Sequence, residues 1–297
     1  MIVKNTVKVL KGPRKALKIL KKRYLGLGVD VALKGLEDSF PKEDIKIGAG
    51  LPKVSIIILS YNNLKHTKAC LYSILNYSNY PNLELIIVDN GSQDETPDFL
   101  KEFKEKNSNV GLILNQTNKG FAGGCNQGID AATGDYIIFL NNDTIVTPDW
   151  VSGLIKPLKN KSVGLVGPLT NFMWNHQEVD ISYRSVDSML KKAAQITSKG
   201  KVREEDDIAF FCVAARKELI EKIGGLDERF GIGMFEDDDY CLRVKKAGYK
   251  IVVTEDVFIH HFGQISLFSL GNDKYKEIFE ENKKKFEKKW GTKWEKK

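Results

Sequence analysis

Four carboxylates, Glu236 to Asp239, stand side by side in "FEDDDYCLR", flanked by Phe235 and Tyr240. Crowding by like charges raises a carboxylate's pKa and a helix N-terminus lowers it, so such a run can tune proton affinity for general base work. The spacing predicts a helix that starts around Asp237 or Asp238 and stops at Gly248. Asp239 and Arg243 then pair at i, i+4. In that frame Asp238 and Asp239 are solvated helix-start charges favoured by the macrodipole. Glu236 and Asp237 fall ahead of the helix, directly after "GIGMF", and are the candidates for chemistry.

Three apolar runs end in polar clusters: "SYNN", "DNGSQD" and "NND". If the runs are neighbouring parallel strands, Ser60, Tyr61, Asn62, Asp89 and Asp143 line one crevice at their carboxyl ends. Asp89 could accept a hydrogen bond from a base or a ribose, or could cap the amides of an Asp-Asn-Gly-Ser turn. Asp143 could hold Mg²⁺ or Mn²⁺ against a diphosphate, since magnesium commonly takes only one or two protein carboxylates. His260 and His261 follow a later strand, as a metal ligand or phosphate donor or as packed histidines. His66 and His176 carry no such context and are expected at the surface.

The elements that must position these residues are read from periodicity. "VSIIILS", "LELIIVD", "VGLIL" and "DYIIFL" are near-continuous apolar strands, and "LKHTKACLYSIL" and "DFLKEFKEK" repeat apolar residues at helical spacing. Such alternation predicts an α/β domain with a mostly parallel sheet covered on both faces. The glycines of "GFAGGCNQG" allow either close backbone approach to a ligand or tight helix packing. Residues 171 to 205 show little periodicity and are expected to be a loop, with Trp174 as a candidate acceptor platform. "KEIFEENKKKFEKKW" places Ile278, Phe279, Phe286 and Trp290 on one face of a last helix packed on or beside the domain.

Composition narrows the function. The 297 residues carry 46 Lys and Arg against 39 Asp and Glu, a net +7, yet the first 25 residues alone hold nine basic residues and no acid. The basicity belongs to this tail, which argues against a nucleic-acid partner for the main body. A basic amphipathic helix within residues 1–50 could lie on an anionic membrane surface or pack on the domain. The four cysteines form no CxxC pair, which points to neither a zinc site nor a disulfide framework and fits a cytoplasmic location. The first strand lacks the G-x-G-x-x-G of a dinucleotide site, and the glycine-rich stretch lacks the G-K-S/T of a phosphate loop.

In order along the chain, "VSIIILSYNN", "LIIVDNGSQDET", "NKGFAGGCNQGI", "YIIFLNNDT", "FEDDDYCLRVKKAGY", "FIHHFG" and "FEKKWG" resemble the inverting family 2 glycosyltransferases, over about Val54 to Gly291. The resemblance is to the bacterial rhamnosyl-, galactofuranosyl- and N-acetylhexosaminyltransferase-like subgroup. It implies a GT-A fold, a nucleotide-diphosphate-sugar donor, a divalent metal (Mg²⁺ or Mn²⁺) and single displacement without a covalent intermediate. Asp237 would be the base and Glu236 its supporting carboxylate. Ser60, Tyr61, Asn62, Asp89, Asn118 and Gly120 would line the nucleotide half-site. Asn141-Asn142-Asp143 would stand in the D-x-D metal motif, with Asn141 and Asn142 toward donor and Asp143 and His261 toward metal. Asn141 replaces the motif's first aspartate.

The resulting expectation is a catalytic domain over 51–266, flanked by the 1–50 segment and a C-terminal helix over 267–297. It would move a sugar from a UDP- or dTDP-sugar to a glycan, lipid-linked or protein acceptor, in polysaccharide or cell-envelope synthesis, in the cytoplasm or peripherally on the inner membrane face. The alternative is a non-catalytic nucleotide-sugar or glycan-binding module of the same fold. A glycoside hydrolase would leave the strand-end aspartates unused.

Overall fold

A computed structural model describes residues 26–38, 50–173, 175–198, 200–263 and 271–295. The basic tail of the first 25 residues, with any amphipathic helix in it, and Trp174 lie outside the described residues. In chain order the elements are α1 (Val29–Glu37), β1 (Val54–Ser60), α2 (Leu64–Tyr77), β2 (Leu83–Asp89), α3 (Thr96–Lys106), β3 (Val110–Leu114), α4 (Gly120–Ala131), β4 (Tyr136–Asn141) and β5 (Thr144–Ile145). There follow α5 (Trp150–Ile155), β6 (Val163–Thr170), α6 (Val186–Ile196), β7 (Val202–Glu205), β8 (Cys212–Arg216), α7 (Lys217–Ile223), α8 (Glu236–Lys246), β9 (Lys250–His261) and α9 (Asn272–Trp290).

The strands lie in the order β3-β2-β1-β4-β8-β6-β9-β5, with β7 on β9. From β3 to β4 all neighbours are parallel. β8 runs antiparallel to both β4 and β6, and β9 returns parallel to β6. Side chains alternate across a strand, so an unbroken apolar run needs apolar cover on both faces. In β1, Ile57 joins the core on one face while Ile56 and Ile58 join the core on the other. The sheet is thus the mostly parallel, doubly covered one that the apolar strands imply, with its antiparallel turn introduced by β8.

Residues 171 to 205 are more ordered than their sequence suggests. They hold α6, which opens on a Ser185–Ser188 capping box and buries Val186, Met189 and Ala193, and they hold β7. The apolar spacing is present there, but Asp, Lys and Gln between its members dilute it. "YKIVVT" and "FIHH" are likewise a single strand, β9, bent where β6 changes register. Within the N-terminal segment, α1 packs onto the domain: Ala32 and Leu36 are fully buried, and Asn76 Nδ2 donates to the Leu36 carbonyl at 3.0 Å. No helix among the described residues is long and apolar enough to cross a membrane.

The glycines of α4 answer to packing. A Cβ on Gly128 would stand 2.4 Å from Ile57 Cγ2, and one on Gly124 would stand 2.3 Å from Leu59 Cδ1. The helix backbone therefore rests directly on the side chains of Ile57 and Leu59 in β1. Gly128→Ala is expected to destabilise the chain by about 1–3 kcal/mol through overpacking. Gly111→Ala, whose Cβ would find nothing closer than 3.8 Å, is expected to stay within about 0.5 kcal/mol. Urea denaturation of the two variants measures the difference.

Candidate functional site

Register brings the strand ends to one level: Ser60 pairs with Asp89, and Leu59 with Asn141. Ser60 is buried, its hydroxyl 3.1 Å from that of Thr67. The turn after β2 engages both oxygens of Asp89: Oδ2 accepts the Ser92 N–H at 2.9 Å and Oδ1 accepts the Ser92 hydroxyl at 2.5 Å. That is the turn-capping geometry. Ser92 Oγ in turn accepts the Asn62 N–H at 2.7 Å, while Asn62 Oδ1 accepts the Gln93 N–H at 2.8 Å. The loops after β1 and β2 are thereby laced together, with Tyr61 and Asn62 half-buried between them. Asn118 Oδ1 caps α4 by accepting the Gly120 N–H at 2.8 Å, and also accepts the Asn90 amide at 2.9 Å. Gly120 itself is filled from the far side, since a Cβ there would lie 1.9 Å from the Gly231 carbonyl oxygen.

Asn141, Asn142 and Asp143 leave β4 in three directions. Asn141 is half-buried, its backbone N–H donating to the Phe211 carbonyl at 2.8 Å. Asn142 turns inward and its Nδ2 donates to Thr67 Oγ1 at 2.9 Å, so its side chain braces α2. Asp143 is 6% exposed, and its Oδ1 lies 3.3 Å from His261 Nε2. Of the two adjacent histidines, His261 is the one that meets Asp143. His260 turns to the Tyr183 hydroxyl at 2.7 Å, and burial holds its pKa down at about 3.

The His261 ring is held on three sides. It stacks on Phe211 at 4.9 Å, and Nδ1 lies 3.1 Å from the Phe172 carbonyl oxygen. Only an N–H is stable against a carbonyl, so the neutral ring presents a bare Nε2 toward Asp143. That Nε2 is buried and has no hydrogen-bond partner. A lone pair facing a carboxylate is resolved by a proton on Nε2 or by a cation held between the two. Adjacent ligand atoms of an octahedral ion with bonds near 2.1 Å are about 3 Å apart, so this donor pair fits a divalent metal. Among the described residues no set of three or more His, Cys, Asp or Glu gathers around a metal position.

The acidic run divides differently from the sequence expectation. α8 begins at Glu236, so Glu236 and Asp237 lie in its first turn rather than ahead of it. The two residues before it, Met234 and Phe235, have φ of 77° and 76°. Nor is Asp239 solvated, and Asp238 is half-buried. Asp239 is fully buried and receives Arg243 Nε at 3.0 Å, Trp290 Nε1 at 2.9 Å and Lys289 Nζ at 2.5 Å. Asp238 receives Trp294 Nε1 at 3.1 Å. Glu236 has no such cations among the described residues. Burial, with the charge of Asp238 added, pushes its pKa up to about 7, and Oε2 is buried without a hydrogen-bond partner. Asp237 is raised in the same direction, by burial first and by Glu236 next, with Asp207 contributing.

Asp207 is therefore a third acid beside this pair that the sequence reading missed; the signal was "EEDD" just ahead of an apolar strand. His66 is a second such residue. It is half-buried, edge-on to Phe262 at 5.0 Å, and within the field of Asp143, whereas its sequence context suggests a surface position. His176 is exposed as expected.

Residues 55–224, more than half of the chain, match the family model "Glycosyl transferase family 2". This chain belongs to that family. The family 2 match ends before α8, so Glu236, Asp237 and His261 lie beyond it. The chain is 27% identical over 222 residues to glycosyltransferase AglE of Haloferax volcanii, covering 72% of this chain and 70% of AglE. It is 27% identical over 223 residues to the uncharacterized protein y4gI of Sinorhizobium fredii, covering 71% of this chain but only 24% of that protein. With glycosyltransferase GlyG of Streptococcus pneumoniae it shares 32% identity over 128 residues, 43% of this chain and 41% of GlyG.

Among solved structures, GalNAc-T7 with UDP, GalNAc and Mn²⁺ superposes with a TM-score of 0.61 at 16% identity, over 85% of this chain and 53% of that one. S. aureus TarS 1–349 with UDP-GlcNAc gives 0.53 at 17% identity, over 71% and 61%. These likenesses establish the GT-A fold.

The raised pKa of Glu236 has a consequence for stability. Its folded value, about 7, lies above the ordinary 4.5, so the fold favours the protonated form. Stability is full below the ordinary value and declines as pH climbs through the folded one. Glu236→Gln cannot ionise and is expected to gain melting temperature relative to the native chain at pH 8 but not at pH 5. Scanning fluorimetry at the two pH values reads this directly, and an equal difference at both would contradict the assignment.

Proposed function

We propose that this chain is an inverting glycosyltransferase that moves a sugar from a UDP- or dTDP-sugar to a hydroxyl group by single displacement. The observation that carries the reading is the Glu236–Asp237 pair at the start of α8 in a family 2 chain, where Glu236 is buried, Asp237 is half-buried and both are pushed toward the protonated form. A base must accept the acceptor hydroxyl's proton as that oxygen attacks the sugar carbon, and it works best with a pKa near the working pH. Asp237, half-buried and therefore reachable, takes that role. Glu236 holds the acceptor through a hydrogen bond and raises the proton affinity of its neighbour.

The departing diphosphate must be neutralised. Asp143 and His261 would hold Mg²⁺ or Mn²⁺, which supplies positive charge to the leaving phosphates when bound. Mn²⁺ and a sugar nucleotide, GDP-Man, are also named with the mannosyltransferase PcManGT of Pyrobaculum calidifontis, which superposes at a TM-score of 0.55 and 17% identity, over 82% of this chain and 67% of that one. Ser60, Tyr61, Asn62 and Asp89 would hold the base and ribose from the laced loops, with Asn118 and Gly120 at the same half-site and Asn141 toward the donor. Asn142 and Gly120 would act through packing, since both spend their contacts on the protein. The acceptor would be a glycan, lipid-linked or protein hydroxyl in polysaccharide or cell-envelope synthesis, with the protein in the cytoplasm or peripheral on the membrane through residues 1–50.

Asp237→Asn is expected to lower release of nucleoside diphosphate from the preferred donor by about 10²–10⁴-fold, with donor binding by calorimetry preserved. Unchanged release would remove Asp237 from the role. In the native chain the rate is expected to rise as pH climbs through about 7, the raised value of Asp237. A rate already flat from pH 5 upward would exclude that base. Mn²⁺ with UDP is expected to raise the melting temperature of the native chain and to have less than half that effect on Asp143→Ala. A non-catalytic module would bind donor and release nothing across the panel.

A further inference from the structure

Beyond the matched family segment, α9 reaches back to the backbone that aims the carboxylate pair. Its Asn282 is 2% exposed, and Nδ2 donates to the Phe230 carbonyl at 2.7 Å and the Gly233 carbonyl at 2.8 Å, with the Met234 carbonyl at 3.4 Å. A carboxamide has only two N–H groups, so both are spent on the five residues that precede Phe235. Met234 at the end of this stretch and Phe235 just after it take the left-handed conformation that side chains disfavour. Such a conformation persists where its surroundings over-determine it.

The surroundings here come from α9 and the residues just after it. The Phe235 ring lies 5.2 Å from Phe279, 5.7 Å from Phe286 and 5.2 Å from Trp294. The Trp294 indole N–H then fixes Asp238, one residue past the pair. We propose that α9 is a clamp on the base-bearing end of α8, and that Asn282 is a positioning residue for Glu236 and Asp237 although it touches no substrate. The inference rests on the reading of that pair as the reacting carboxylates.

The test uses the full chain, with Asn282→Ala and with Trp294→Phe, which keeps a ring and deletes the indole N–H. Release of nucleoside diphosphate is measured with UDP-glucose, UDP-N-acetylglucosamine, UDP-galactose and dTDP-rhamnose, and amide hydrogen exchange is measured over residues 230–240. Asn282→Ala is expected to lower kcat at least tenfold while the donor KM stays within twofold, and Trp294→Phe to lower kcat about threefold. Exchange over 230–240 is expected to quicken at least tenfold in Asn282→Ala, with α2 unaffected.

Native exchange over 230–240 in both variants would overturn the clamp. So would a loss carried by KM alone, or a lowered melting temperature with kcat intact. A native chain that releases nucleoside diphosphate from none of the donors would instead count against the transfer reading, and the exchange measurement would still decide the clamp.

Discussion

A carboxylate taken out of water must either find donors and cations or keep its proton. The acidic run at the start of α8 uses both solutions within four residues. Asp239, fully buried, is given Arg243, Lys289 and the Trp290 indole, and Asp238 is given the Trp294 indole. Glu236 is given burial and the charge of Asp238, and Asp237 is given burial and the charge of Glu236. The helix N-terminus, which favours anions, is therefore opposed at these two residues by desolvation. Much of the arrangement at this end of the molecule follows from keeping the two pairs apart in their chemistry while they share one helical turn.

How far this was legible in the sequence depends on the range of the interactions. β1, β2 and β4 were readable because an unbroken apolar run has few other places to go, and their register then places Ser60, Asp89 and Asn141 at one level. The i, i+4 contact of Asp239 with Arg243 was readable because it is local. The Trp290 and Lys289 contacts with Asp239 span about 50 residues, and no periodicity reports them. A run of acids therefore looks solvated until the helix that covers it is in place. The earlier start of α8 has a similar cause: Phe235 caps it in a left-handed conformation that its side chain alone would not select.

Glycine shows the same division. "GFAGGCNQG" marks a close approach, but its spacing does not say to what. Gly124 and Gly128 face the side chains of Leu59 and Ile57, whereas Gly120 faces the backbone at Gly231. The last contact joins the start of α4 to the loop ahead of α8, supported by the Phe121 N–H on the Ile232 carbonyl at 3.2 Å. The start of α4 and the acidic helix are thus connected through main chain, and a change of volume at position 120 is felt on both sides.

The carbonyl that sets the tautomer of His261 belongs to Phe172, on the excursion that follows β6. Neighbouring Asn171 grips both the N–H and the C=O of His261. An excursion of this kind is where a sugar-transfer enzyme would be free to diversify for new partners. Here its opening residues are tied to the histidine that faces Asp143, so a graft of the whole excursion from a relative would carry the orientation of that imidazole with it.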